Sequence, residues 1–199
     1  KVQVGDKTYD VTFDANGKAT LEVPVKANDV YNGEPTITAT VTEVNGGNFE
    51  IVSLAGASKT ITVNDIDETT TVTITASNVD EGSGNATFTI ELSNKPETGS
   101  TATGKVEVDG KSYDVTFDAD GKATLTVDVK ANDVYNGEPT LTAKVTEISG
   151  GNFEKVNPTA QTTITVKDTE DITTVKITGT DTTEGGEATF TIELSNKPQ

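Results

Sequence analysis

At 199 residues the chain is long enough for one large domain or two ordinary ones, with a core of real size. Its 15 cations are all Lys, set against 32 Asp and Glu for a net charge of −17, and Arg, His, Cys, Met and Trp are absent. That composition removes an imidazole base, a thiolate nucleophile, disulfides and Cys/His zinc sites, and it argues against nucleic acid and anionic membranes as partners. Hard cations suit such a surface instead.

Thr supplies 38 residues and alternates with Val and Ile over short runs, the period-two pattern of half-buried strands. No apolar run approaches the ~20 residues of a membrane span. No signal peptide precedes Lys1, and the chain is expected to be a piece of something larger.

From the amino terminus onward, segment after segment returns about one hundred residues later. Val11-Thr12-Phe13-Asp14 recurs as Val115 to Asp118, Ala27 to Pro35 as Ala131 to Pro139, and Gly46 to Glu50 as Gly150 to Glu154. Ala86 to Pro96 returns as Ala188 to Pro198. Near-identity over this length points to duplicated modules that do one job, as stalks and arrays require.

The strands expected in one unit are Thr71–Ala76, Ala86–Leu92, Gly104–Val108, Lys111–Phe117, Ala123–Val129, Thr140–Ile148 and Thr162–Val166. Asp109-Gly110 is a two-residue hairpin signal, and Asp118-Ala119-Asp120-Gly121 reads as a longer turn. That second segment resembles the start of an EF-hand loop but lacks the later acidic positions. Seven short alternating strands predict an all-β fold, an immunoglobulin-like β-sandwich with Greek-key connections. The complete module falls at 69–171. Residues 1–68 carry the last five strands of a preceding module, and 172–199 the first two of a following one.

Antiparallel strands alternate direction, so the loop Ser77–Asn85, the Asp109-Gly110 turn and the loop Lys130–Pro139 share the pole where the last strand leaves into Lys167-Asp168-Thr169-Glu170-Asp171. Carboxylates held ~4 Å apart repel by up to ~4 kcal/mol at an effective dielectric of 20. Lys130 and Lys167 alone are too few to offset that. The expected occupant is calcium at each module junction, held by Glu81, Asp133, Asp168 and Glu170 at one and by Asp29, Asp65, Asp67 and Glu68 at the other. Glu184 on the tail is the residue matching Glu81.

Asn28-Asp29-Val30-Tyr31, Gly46-Gly47-Asn48-Phe49-Glu50, Asp65-Ile66-Asp67-Glu68 and Glu81-Gly82, with their second copies, resemble the tandem extender repeats of giant RTX biofilm adhesins secreted by type I systems. The Glu81-Gly82 segment leading into Ala86-Thr87-Phe88 also resembles the opening of Calx-beta domains. This resemblance implies an immunoglobulin-like sandwich, calcium near the junctions, and a rigid spacer that projects an adhesive tip from the bacterial cell surface, an extracellular location. Glu170 stands where the first copy has Asp67, and the Gly-rich nonapeptide calcium repeats of the wider family are absent.

No enzyme is expected, because the acidic residues gather at linkers and turns and recur in both copies. A calcium-dependent glycan- or ice-binding face built on Thr36-Ile37-Thr38-Ala39-Thr40-Val41-Thr42 is the alternative, weighed against plain β-propensity of Thr. Tyr31 and Tyr135 are expected to anchor their loops while the hydroxyl caps a backbone group. Phe13, Phe49, Phe88, Phe117, Phe153 and Phe190 read as core. The five-strand and two-strand pieces are complementary, so residues 172–199 of one chain are expected to complete 1–68 of the next, head to tail.

Overall fold

The structure, a computed structural model, describes all residues from 1 to 199. It contains fifteen strands and no helix. They are β1 (Val2–Val4), β2 (Lys7–Tyr9), β3 (Thr36–Val41), β4 (Ser58–Thr62), β5 (Thr69–Ala76), β6 (Val79–Asp80), β7 (Asn85–Leu92) and β8 (Ala102–Val108). β9 (Lys111–Thr116), β10 (Lys122–Asp128), β11 (Thr140–Gly150), β12 (Lys155–Asn157), β13 (Ala160–Lys167), β14 (Val175–Gly179) and β15 (Phe190–Leu194) follow. Two compact units result: Lys1–Thr69 with Phe153–Lys155, and Thr70–Asn152 with Val156–Gln199.

The second unit is a β-sandwich. One sheet has the order β10-β7-β5-β12 and the other β6-β13-β11-β8-β9. Burial alternates strictly along β7, with Ala86, Phe88, Ile90 and Leu92 inward and Asn85, Thr87, Thr89 and Glu91 outward. Val106, Val108, Val115, Phe117, Val145, Ile164 and Val166 answer from the other sheet, so the period-two pattern becomes a single apolar layer. All seven strands expected for this module form, and the short β6 and β12 are additions.

Turn chemistry sets the registers. Asp109 and Gly110 take φ of 47° and 80° and close the β8/β9 hairpin with Val108 opposite Lys111, the primed geometry that Asp-Gly favours. Asp118 Oδ1 accepts the backbone N–H of Asp120 and of Lys122, both at 2.9 Å, so this acidic segment is an Asx-type turn, as expected, with its carboxylate engaged by the backbone. Asp14 does the same toward Asn16 and Lys18. β14 and β15 form a separate hairpin.

The first unit holds a single sheet, β2-β1-β3-β4. Four strands form in residues 1–68 instead of the five expected. The absent one, residues 18–24, corresponds to β10, which draws its whole hydrogen-bonding ladder from β7; the first unit contains no strand in that role. Phe88, Phe117 and Phe153 are buried as expected, whereas Phe13, Phe49 and Phe190 are exposed. Phe13 and Phe190 sit in copies of the repeat where the covering sheet is not assembled, so an apolar side chain suited to a core has no second layer to face, and Phe49 lacks the ring contact that Phe153 makes with Tyr31.

Candidate metal centre

In the second unit the acidic pole is assembled by β6. This two-residue strand pairs in parallel with the end of β13, Val79 with Val166 and Asp80 with Lys167. The next residue, Glu81, is thereby held against the exit linker. Its N–H donates to the Lys167 carbonyl at 2.7 Å, and its own carbonyl accepts the Thr169 hydroxyl at 3.2 Å. Gly82 has φ +75°, and a Cβ there would stand 2.9 Å from Asn132 Cβ, so glycine is required where the two loops touch. Its N–H donates to the Lys130 carbonyl at 3.0 Å. The first loop, the 130–139 loop and the linker do meet at one pole.

Glu81 is 4 % exposed, and neither carboxylate oxygen has a hydrogen bond. Lys130 Nζ lies 3.1 Å from its Oε1, within ion-pair range but without hydrogen-bond geometry, and 2.5 Å from Asp133 Oδ2. The ammonium therefore bridges the two carboxylates. Asp133 also accepts the Tyr135 N–H at 2.9 Å. Lys130, and after it this N–H, hold the Asp133 carboxyl below its ordinary range, while Asp133 and then Glu81 push the Lys130 ammonium up. Asp171 accepts the Asn132 side-chain amide at 2.7 Å. Asp168 is half-buried and Glu170 exposed. No three of these carboxylates converge on one point.

In the first unit Asp29 and Asp65 line one cavity of about 250 Å³, together with Lys26, Asn28, Asn64 and Ile66. Lys26 Nζ is 2.5 Å from Asp29 Oδ2, and Asp29 Oδ1 accepts the Tyr31 N–H at 3.0 Å. Both contacts lower the Asp29 carboxyl, the lysine more than the amide. Asp65 accepts the N–H of Ile66, and Asp67 pairs with Lys155 at 2.5 Å. The Glu68 N–H donates to Glu154 Oε2, whose other carboxylate oxygen is buried without a hydrogen bond. Glu184 is exposed in the loop between β14 and β15.

Sequence reasoning counted Lys130 as insufficient and missed its bridging position. The signal was present: a Lys three residues before Asp in both copies, Lys26/Asp29 and Lys130/Asp133. It also missed Asn132 and Glu154, while Asp171 lies in the exit linker expected at this pole. The Tyr135 hydroxyl caps a backbone group as expected, donating to the Lys197 carbonyl at 2.8 Å. The Thr face uses its hydroxyls internally: Thr38 bonds Thr60 at 2.7 Å and Thr142 bonds Thr163 at 2.9 Å across adjacent strands.

A repeated Thr-rich β-module, closed as a sandwich in the second unit and present as one sheet in the first, defines an all-β protein built from tandem modules. The family model of the LapA domain matches residues 5–66 and again 68–169. The chain belongs to the LapA-domain family, large cell-surface adhesins involved in biofilm. No curated protein and no solved structure matches the chain. No helix is long and apolar enough to cross a membrane.

Proposed function

We propose that the chain is a non-catalytic extender of a large extracellular adhesin, made of immunoglobulin-like modules that act as spacers and carry an adhesive tip away from the cell. The observation that carries this reading is the tandem match of one family model to two successive stretches of the chain. Two copies of one β-module add length without adding chemistry, which is what a stalk needs.

Calcium is the proposed stiffening element. Glu81, Asp133, Asp168 and Glu170 are its candidate ligands at one module junction, Asp29, Asp65, Asp67 and Glu68 at the other, with Glu184 the counterpart of Glu81 on the tail. Support comes from Glu81: a buried carboxylate with two unbonded oxygens, beside a lysine shared with Asp133, suits a hard divalent cation better than a single ammonium. Extracellular modules of this type bind calcium with dissociation constants of roughly 10⁻⁴–10⁻³ M.

Calorimetric titration of chelator-treated protein tests the site. Calcium uptake is expected in the wild type, weakened at least tenfold in Glu81→Gln and strengthened in Lys130→Ala, where the competing cation is gone. Small-angle scattering is expected to report a longer and less flexible particle with calcium. Absence of uptake in the wild type ends the calcium reading; uptake without any change in scattering ends the stiffening role.

A further inference from the structure

Burial of a carboxylate is tolerated when a cation stands against it. The Glu81 side chain is 1 % exposed, and neither of its oxygens accepts a hydrogen bond. The cation that meets it is the Lys130 ammonium, 3.1 Å from Oε1 and 2.5 Å from Asp133 Oδ2. Lys167, the other lysine of this pole, is exposed and its backbone rather than its ammonium meets Glu81. Glu81 and Asp133 thus carry two negative charges, of which one ammonium offsets one.

The bonds that build the pole do not run through these charges. The Glu81 N–H donates to the Lys167 carbonyl at 2.7 Å and the Gly82 N–H to the Lys130 carbonyl at 3.0 Å. The Thr169 hydroxyl donates to the Glu81 carbonyl at 3.2 Å, and the Asn132 amide to Asp171 at 2.7 Å. Together with the β6/β13 pairing these contacts fix Glu81 in place whichever cation stands before it. The ammonium is held differently. It hangs on a flexible four-carbon stem, and the Lys130 side chain is 47 % exposed, so it swings into water without breaking a backbone bond. In the first unit Lys26 takes the same position on Asp29, at 2.5 Å with 55 % of its side chain exposed.

We propose that Lys130 is a resident cation of the Glu81 site, which keeps the pole closed without calcium, excludes monovalent ions and yields its place to a divalent one. The tether gives the ammonium a high effective concentration, and a free ion of equal charge gains nothing by replacing it. A divalent ion offsets both carboxylates at once and takes several oxygens together. Binding then exchanges one cation for another within a site that is already built. Lys130 is in this sense the residue that sets which ions the pole accepts. This role rests on the calcium reading of Glu81 and goes beyond it, since it states what holds the site in the absence of the ion.

The wild-type chain reports the exchange directly. Acetylation read lysine by lysine in peptide mass spectra is expected to be slow at Lys130 in chelator-treated protein and to rise several-fold on addition of calcium chloride. Sodium chloride at the same ionic strength is expected to leave Lys130 slow. Lys122, paired with Glu91 at the far end of β10, serves as the control and keeps one rate throughout. Lys130→Ala supplies a second readout. Its denaturation midpoint is expected to fall below that of the wild type in chelator and to converge with it in saturating calcium. Sodium chloride is expected to raise the midpoint of chelated Lys130→Ala more than that of the wild type, because the filter is gone.

Calcium uptake in calorimetry with no change in Lys130 acetylation overturns the resident-cation role and leaves the calcium reading standing. A Lys130→Ala midpoint lowered equally with and without calcium, the behaviour of an ordinary ion pair, does the same, as does a midpoint unchanged in chelator. Absence of calcium uptake ends both readings. Should Lys130→Ala fail to fold, the acetylation rates of the wild type decide.

Discussion

Single residues at the acidic pole decide how the charge of the chain is tolerated. Lys130 is the one ammonium between Glu81 and Asp133, and its effect on Asp133 gives a pH signature. The folded-state pKa of Asp133 lies below its unfolded value of about 3.9, so its contribution to stability is fully present above that value and is lost as pH falls through the folded one. The Lys130 value is raised, so its contribution is present below about 10.4 and is lost as pH climbs past the folded value. Denaturant titrations of wild type and Asp133→Asn are expected to differ at neutral pH and to converge on acidification below about pH 4. Equal stabilities at neutral pH are the opposing result. The Lys-x-x-Asp spacing was readable in both copies, but that Lys130 reaches Glu81 as well depended on β6 delivering Glu81 to the same place.

At the scale of elements, turns follow their own sequence and strands follow their neighbours. Gly150, Gly151 and Asn152 have φ of 75°, 74° and 58°, and Gly46, Gly47 and Asn48 repeat this run at 82°, 76° and 52° although their surroundings differ. Local residue type is enough to specify such a left-handed run. Gly150 also lies against its neighbour: a Cβ would come within 2.2 Å of the Thr101 carbonyl oxygen. Gly150→Ala is expected to cost about 1–3 kcal/mol in chemical denaturation, combining backbone strain with that clash. The same change at Gly137, which has open space and no positive φ, is expected to change little. Residues 18–24 behave in the opposite way. Their alternation is as good as that of β10, yet they form no strand, because a ladder needs a second strand and the sequence of one strand cannot provide it.

For the whole molecule, uneven closure sets uneven stability. The second unit buries Phe88, Ile90, Val106, Val145 and Ile164 almost completely, whereas in the first unit Phe13, Phe49 and Ile51 remain exposed. Hydrogen exchange is expected to protect the amides of β7, β8 and β11 most strongly and to label residues 10–30 fastest. Uniform protection across both units is the contrary outcome. Amphipathic alternation, turn residues and the hundred-residue repeat were determined by the sequence alone, since each depends on residue type and spacing within one stretch of chain. Which copies of a Phe are buried, whether 18–24 becomes a strand, and which carboxylates meet a cation were decided only by tertiary structure. Each of those requires a second stretch of chain to arrive from far away in sequence, and identical residues take different states according to whether it does.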